Sequence, residues 1–383
     1  MIAPEVYFAD RRASSHHESL VKKVGLLFDR VGVAKMISPG DLVAVKLHFG
    51  ERGSTAFINP VFVRKIVERV KKAGGKPFLC DSNTLYTGGR SNAVDHLETA
   101  LQHGFSYATV EAPVMIMDGL RGRGYHDVRI EGKHFSTVQI GAAVVEADLL
   151  ITLSHVKGHM MTGFGGAIKN LSMGCSSRAG KQQMHSAIKP VIRRERCRRC
   201  GICLRWCAAG AIELDDEAAR IDPEKCTGCG ECIISCAHKA VKVQWRTELP
   251  EMGERMVEYA CGTMAGKKDA AVFFNFLLDI TPDCDCNSWS DLPVVPDIGI
   301  IATTDPVAAD QAAVDLINEQ AGITGSALNA AFEPGADKFC ALHPKTDYRS
   351  MLAYAEAMGL GSRRYELVGM GAKKSKETVP EDI

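Results

Sequence analysis

Apolar residues recur along this chain in two rhythms, one suited to helices and one to buried strands. Leu20, Val24, Leu27, Phe28 and Val31 fall on one face of a helix over 17–32, with Lys22, Lys23 and Asp29 elsewhere. After a turn at Pro39-Gly40, the run 42–49 (LVAVKLHF) reads as a buried strand. Pro60 suits the first position of the next helix, whose buried face is Phe62, Ile66, Val67 and Val70 and whose end is Gly74-Gly75. Residues 77–80 make a short strand ending at Asp81, followed by a polar loop over 81–90 and a helix through Leu101. The spacing predicts strands within 107–117 and 127–130, a helix over 138–146, and a buried strand over 149–153. That strand delivers the chain into SHVKGHMMTGFGGAIKNLSMG, residues 154–174.

The same patterning resumes further on. Met252, Met256, Val257, Ala260, Cys261 and Met264 line a helical face, and 271–280 and 298–302 read as strands. Asp305 caps a helix that has Pro306 at its first position, a last helix covers 348–358, and the tail from Lys373 is polar. Strand–helix–strand spacing of this kind predicts an α/β fold: a largely parallel sheet with flanking helices.

Between the two patterned regions lies a cysteine block, CRRCGICLRWC and then CTGCGECIISC. Each half is Cys-x2-Cys-x2-Cys-x3-Cys, comprising Cys197, Cys200, Cys203, Cys207 and then Cys226, Cys229, Cys232, Cys236. Thiolates are soft anionic ligands, and four of them suit a four-iron, four-sulfide cluster; zinc or a disulfide framework is the alternative. In such double runs the fourth cysteine serves the other cluster. One set is then Cys197, Cys200, Cys203 and Cys236, and the other Cys226, Cys229, Cys232 and Cys207. Ala208 and Ala237 stand where a proline usually follows the last cysteine. Over about 190–245 the stretch resembles bacterial two-cluster ferredoxins, small α+β units. The expected organisation is a discontinuous α/β domain, 1–187 and 247–383, with a ferredoxin domain over 188–246 inserted. Three consecutive domains are the alternative.

Composition narrows the classes further. A chain of 383 residues with 46% hydrophobic and 24% charged residues is an ordinary globular protein of two or three domains. Its net charge of zero implies no general attraction to nucleic acid. The longest apolar run, 270–278, is too short to span a bilayer, and the N-terminus lacks the pattern of a secretory signal. Fourteen cysteines in such a chain point to a reducing cytoplasm.

Outside the block, polar loops follow the expected strands, and in a parallel sheet such loops gather at one end. They carry Lys46, His48 and Glu51; Asp81, Tyr86 and Arg90; His155, Lys157, His159 and Lys169; and residues 283–286 with Asp305. Lys46, His48, His155, Lys157 and His159 are the candidate catalytic group. Gly163, Gly165, Gly166 and Lys169 are the candidate holders of an anionic ligand, since a glycine turn opening a helix offers free N–H groups. The alternative is a tight turn that only needs glycine. The stretch is neither a P-loop nor Gly-x-Gly-x-x-Gly. His155 and His159 stand four apart, which on a helix would suit a metal, but Gly158 argues against the helix. Cys284 and Cys286 are poorly spaced for a disulfide; with Cys175 or Cys340 they would make a further metal site. Arg193, Arg194, Arg196, Arg198 and Arg199 form either a solvated face or a docking patch for an acidic redox partner.

KLHFGE at 46–51, SHVKGH at 154–159, GFGGAIKNLSMG at 163–174 and DIGIIATTDPVAADQAAVDL at 297–316 are similar to the DUF362 family of uncharacterised Fe–S centre proteins. The resemblance covers nearly the whole chain and implies an α/β host fused to a ferredoxin module. Three functions remain open. In the first, two [4Fe–4S] clusters exchange electrons with a substrate or cofactor in the host, which makes the chain an iron–sulfur oxidoreductase binding a further anionic ligand, flavin or metal. In the second it is an electron carrier for a partner protein, with no chemistry of its own. In the third it handles metal through His48, His155, His159 and Cys284–Cys286.

Overall fold

The apolar runs after Asp41 and Asp148 become neighbouring parallel strands, Leu42–Lys46 and Leu149–His155, in register Lys46 to Thr152. They lie within a nine-stranded sheet of a computed structural model that describes residues 3–185, 189–242, 249–370 and 376–378. Its order is Lys376–Thr378, Tyr365–Gly369, Glu5–Asp10, Gly299–Thr303, Ala271–Leu277, Leu149–His155, Leu42–Lys46, Lys76–Asp81 and Val114–Ile116. From Ala271–Leu277 to Val114–Ile116 all neighbours are parallel. Gly299–Thr303 runs against both its neighbours. The α/β class with a mostly parallel sheet is therefore as expected.

Leu149–His155 and Ala271–Leu277 are buried at every position, because the sheet is covered on both faces. Alternate residues serve opposite cores. Leu150, Phe273 and Ile301 pack with Val257, Ala260, Ala312 and Leu352 of the helices Leu249–Met264, Pro306–Asn318 and Tyr348–Ala357. Ile151, Phe274 and Ile300 pack with Val24, Phe28, Ile66 and Val70 of Leu20–Val31 and Pro60–Lys72. Asn59 caps the second of these helices and Pro60 opens it, while Gly32 at φ +81° ends the first.

Some local expectations fail. Residues 137–141 are a strand, paired antiparallel with Tyr125–Arg129, and only Ala142–Glu146 is helical. Val138 and Ile140 are buried while Thr137 is exposed, which is the period of a strand and not of a helix. Tyr107–Val110 is a helical turn capped by the Ser106 hydroxyl, leaving Val114–Ile116 as the edge strand. The strands Glu5–Asp10 and Tyr365–Gly369 were not expected, since both are short and mix polar with apolar residues.

Among the described residues the cysteine block adds no strand to the large sheet. It holds two small antiparallel strand pairs, Val191–Ile192 with Val241–Lys242 and the hairpin Ile212–Leu214 with Ala219–Ile221, and the helices Ile202–Trp206 and Glu231–Ser235. Ile212, Ala219, Cys232, Ile233 and Val241 make a separate apolar cluster, joined by Leu85 from the loop after Lys76–Asp81. The expected junctions at 187/188 and 246/247 lie outside the described residues, as does the tail from Lys373 except 376–378. Among the described residues no helix is long and apolar enough to cross a membrane.

Candidate functional site

The two cysteine runs fold as a repeat. Gly201 and Gly230, one residue after the second cysteine of each run, take φ of +70° and +71° and open the helices Ile202–Trp206 and Glu231–Ser235. Arg199 and Gly228 are equivalent and both left-handed, as are Gly210 and Lys239. Two arms of this repeat are thus held left-handed by Arg199 and Lys239, which cost more there than glycine would.

Two hollows result. The first is lined by Cys197, Cys200, Cys203 and Cys236, with Ile192, Leu214 and Val241. The second is lined by Cys207, Cys226, Cys229 and Cys232, with Ile212, Ile221 and Thr227. Each hollow thus takes three cysteines from one run and the last cysteine from the other. Backbone N–H groups donate to four of the sulfurs: Ala219 to Cys197 at 3.3 Å, Ala211 to Cys207 at 3.2 Å, Gly228 to Cys226 at 3.4 Å and Ala240 to Cys236 at 3.3 Å. Such bonds favour thiolate over thiol. Burial and the nearby Cys229 and Cys226 push the Cys232 thiol well up, so a cationic centre is what would hold four thiolates together here.

In the host, Leu42–Lys46, Lys76–Asp81, Leu149–His155 and Ala271–Leu277 end on the same side, and their loops converge. Lys46, fully buried, directs its ammonium at Asp81 (3.0 Å), Asn170 Oδ1 (2.7 Å) and the Leu47 carbonyl (3.1 Å). An ammonium has three N–H bonds, so none is left for a ligand. Burial acts to raise the Asp81 carboxyl, but Lys46 and the His96 ring outweigh it and hold it well below the usual carboxylate range. Arg90 lies 3.5 Å from Asp81 and 3.4 Å from Glu51.

A second charged group is built on Asp285. Its carboxylate meets His155 Nδ1 at 2.9 Å and Lys157 Nζ at 3.0 Å, all three buried. His155 Nε2 faces the carbonyls of Leu278 and Asp279, both at 2.9 Å. Both ring nitrogens of His155 are thus turned to oxygens of the protein, and neither faces a metal or ligand. Lys157 also donates to the His155 carbonyl at 2.9 Å. Burial works against its ammonium, yet Asp285 and Cys284 raise it overall. His48 lies on the same side as His155, near both Asp81 and Asp285. Its Nδ1 accepts from the Gly50 N–H at 2.8 Å, and burial with the adjacent Arg90 holds the ring neutral.

The glycine stretch corrects an expectation. Gly163–Gly165 is a strand paired with Lys157–His159, and the helix Ala167–Ser172 follows it. The amides of Ala167 and Ile168 donate to the Asp310 carboxylate at 2.6 and 2.9 Å. The anion position at this helix start is thus filled by the protein's own side chain. A Cβ on Gly166 would come 2.2 Å from Asp310 Oδ1, which is why glycine stands there. Asp305 is placed elsewhere: the strand before it, Gly299–Thr303, runs antiparallel, so it leaves the sheet at the opposite end. There it caps Pro306–Asn318 and accepts from Ser362.

The hairpin of Lys157–His159 and Gly163–Gly165 brings His159 to Cys284 and Cys286, with a ligand atom of each within 4.8 Å of the others. Lys169 Nζ lies 3.1 Å from Cys284 Sγ. The neighbouring Cys286, with Lys169 and Lys157, draws the Cys284 thiol well down against its burial, and the Cys286 N–H donates to its sulfur at 3.4 Å. Cys286 is correspondingly raised by Cys284 and by burial. Cys175 and Cys340 do not join this group: Cys175 lies near Lys46 and Asp81, and Cys340 beside Asp337. Sequence reasoning placed Asp285 in one of the site loops without its partners His155 and Lys157, and missed the roles of Asn170 and Asp310 and the buried contact between Arg178 and Glu231.

The chain matches a family described as Domain of unknown function (DUF362) over residues 43–315. A thylakoid-associated protein of Synechocystis sp. is 27% identical over 169 residues, 43% of this chain and 49% of that protein. The chain thus spans about half the length of this curated relative. Among solved structures, the lactate racemase apoprotein from Thermoanaerobacterium thermosaccharolyticum aligns with 83% of this chain and 58% of its own, at 13% identity and a TM-score of 0.43. A Thermotoga maritima protein aligns with 90% of this chain and 59% of its own, at 9% identity and a TM-score of 0.37. These two likenesses are too slight to bear on function. The family match runs from the strand Leu42–Lys46 through the cysteine block to the helix Pro306–Asn318, and on that match the chain belongs to the DUF362 family.

Proposed function

We propose that this chain is an iron–sulfur protein whose two [4Fe–4S] clusters exchange electrons with a site in the α/β host. The observation that carries it is the crosswise grouping of eight cysteines into two hollows of four. N–H donors at four of the sulfurs fit thiolates bound to iron. Such clusters supply one-electron transfer, at potentials set by hydrogen bonds and exposure.

The surroundings suggest a direction for the electrons. Cys200 is exposed, between the exposed Arg196, Arg198 and Arg199. An acidic redox partner would dock there by charge complementarity. The second hollow faces inward. A Cβ on Gly230, one of its lining residues, would meet Leu85 and Arg178 of the host, and Lys169 and Lys181 influence His185 at the far end of the helix Arg178–His185. That helix leads from the second hollow toward Lys169 and Cys284. On this reading His48, His159 and Cys284, and not Lys46 or His155, are the host groups left to meet a substrate.

Anaerobic purification with iron and sulfide analysis tests the proposal. The expected result is about eight iron and eight acid-labile sulfide per chain, with a reduced-state electron paramagnetic resonance spectrum of interacting clusters. Stoichiometric zinc with little iron in the cysteine block overturns it.

A further inference from the structure

We infer that His159, Cys284 and Cys286 form a mononuclear site for a thiophilic divalent cation of the zinc type, separate from the eight cysteines of the block, with one position open. This inference does not depend on the clusters. One ligand atom from each residue lies within 4.8 Å of the other two. Bonds of about 2.0–2.3 Å in a tetrahedral site put ligand atoms about 3.5 Å apart, so closure needs a contraction of only about 1 Å. Two sulfurs and an imidazole nitrogen select a zinc-type ion over magnesium or calcium, which prefer oxygen.

The histidine is prepared for the role. His159 Nδ1 lies 2.8 Å from the Thr162 hydroxyl, whose own proton goes to the Phe164 carbonyl at 2.8 Å. The Met161 N–H also reaches Nδ1, at 3.4 Å, so the ring is held by Nδ1 and Nε2 is the nitrogen left to face a cation. An outer hydrogen bond of this kind orients most metal-binding histidines.

The two cysteines come from a loop held on several sides. The Glu51 amide donates to the Asp285 carbonyl at 2.9 Å, the Tyr86 hydroxyl to the Cys286 carbonyl at 3.1 Å, and the Asn287 amide to the Cys284 carbonyl at 2.9 Å. Asp285, between the cysteines, is tied to His155 and Lys157. The hairpin carrying His159 packs directly on this loop, because Gly158 has no side chain: a Cβ there would lie 2.0 Å from the Pro282 carbonyl oxygen. Lys169, 3.1 Å from Cys284 Sγ, stands beside the open position, where it favours an anionic fourth ligand such as hydroxide or a carboxylate. Entry of the cation displaces thiol protons, and two thiolates then balance its charge.

The test uses full-length protein, purified anaerobically and titrated with Zn²⁺ alone, with iron and sulfide counted in the same samples. The wild type is expected to bind one more zinc than the Cys284→Ser/Cys286→Ser double variant. The wild-type-minus-variant zinc-edge absorption spectrum should show two sulfur neighbours and one nitrogen. His159→Ala should lose the same zinc, and Thr162→Val should weaken it about 10–100-fold, all with iron and sulfide unchanged. Equal zinc in the wild type and the double variant overturns the inference. Should the double variant fold poorly, a wild-type zinc edge lacking the two-sulfur, one-nitrogen set overturns it independently. The iron and sulfide counts separately judge the clusters.

Discussion

Arg178 and Glu231 form an ion pair at 3.1 Å in which both side chains are buried, and it ties the α/β host to the cysteine block. Arg178 belongs to the helix Arg178–His185; Glu231 opens the helix that carries Cys232. Arg121 and Arg123 reach the same carboxylate at 3.2 and 3.6 Å, and the Arg121 guanidinium lies 3.7 Å over the Trp206 ring. Arg178 also donates to the carbonyls of Thr84, Arg121 and Ser91.

Removing only the acid should therefore be costly. Glu231→Ala leaves a buried guanidinium without its counter-charge, and breaking such a pair costs about 3–5 kcal/mol. Replacing both partners, Arg178→Met with Glu231→Leu, should cost much less, because no charge is stranded. Urea unfolding of the three chains checks this. A Glu231→Ala loss under about 1 kcal/mol would mean that the other arginines and carbonyls suffice.

The same contact bears on the proposed inserted domain. Every strand of the large sheet comes from residues before 156 or after 270, so excision of 188–246 with a short linker should leave a host that melts cooperatively. It should be less stable than the full chain, since Leu85 and Arg178 lose their cover. Adding Arg178→Met should recover part of the loss. A shortened chain with no cooperative transition would point to one interlocked fold.

Cross-grouping of the cysteines gives a third outcome. Cys207→Ala should damage the centre held by Cys226, Cys229 and Cys232, and Cys236→Ala the centre held by Cys197, Cys200 and Cys203. Each should lower iron content and remove one signal set from the reduced spectrum. Loss of the centre beside the mutated cysteine in sequence would contradict the grouping.

The sheet was legible because its central strands are continuous apolar runs, as at 149–153 and 271–280, which only a two-faced burial explains. The cysteine block was legible because ligand spacing is local. Direction was not: nothing in IGIIA at 298–302 says that Gly299–Thr303 runs backwards, and that reversal alone carries Asp305 away from the other loops. Partner choice was hidden for the same reason. Lys46 and Asp81 are far apart in sequence, as are His155 and Asp285, so a charge that appears available in the sequence is neutralised in the fold. Cys284 and Cys286 were visible as a pair, but their third partner, His159, depends on a hairpin whose glycine turn reads equally well as an anion loop.

The pairing of Lys46 with Asp81 should set part of the acid stability of the host. Both side chains are buried and 3.0 Å apart. Burial alone would raise the Asp81 carboxyl, but Lys46 and the His96 ring, 3.5 Å away, hold it well below its ordinary value of 3.8. A carboxyl depressed by folding contributes stability that is complete above its unfolded value and is lost as pH falls through the folded one. Asp81 should therefore help fully at neutral pH and progressively less below about pH 4. Asp81→Asn keeps the shape and removes the charge, stranding the Lys46 ammonium at a cost of about 3–5 kcal/mol near pH 7. The difference in unfolding free energy between wild type and variant should shrink steadily as the medium is acidified. Iron or other metal stripped from the cysteines by acid is lost alike from both chains, so the difference isolates this pair. Urea titrations from about pH 7 to about pH 3 measure it. A difference that stays constant over that range would show that Asp81 carries no ionised partner role in the folded chain.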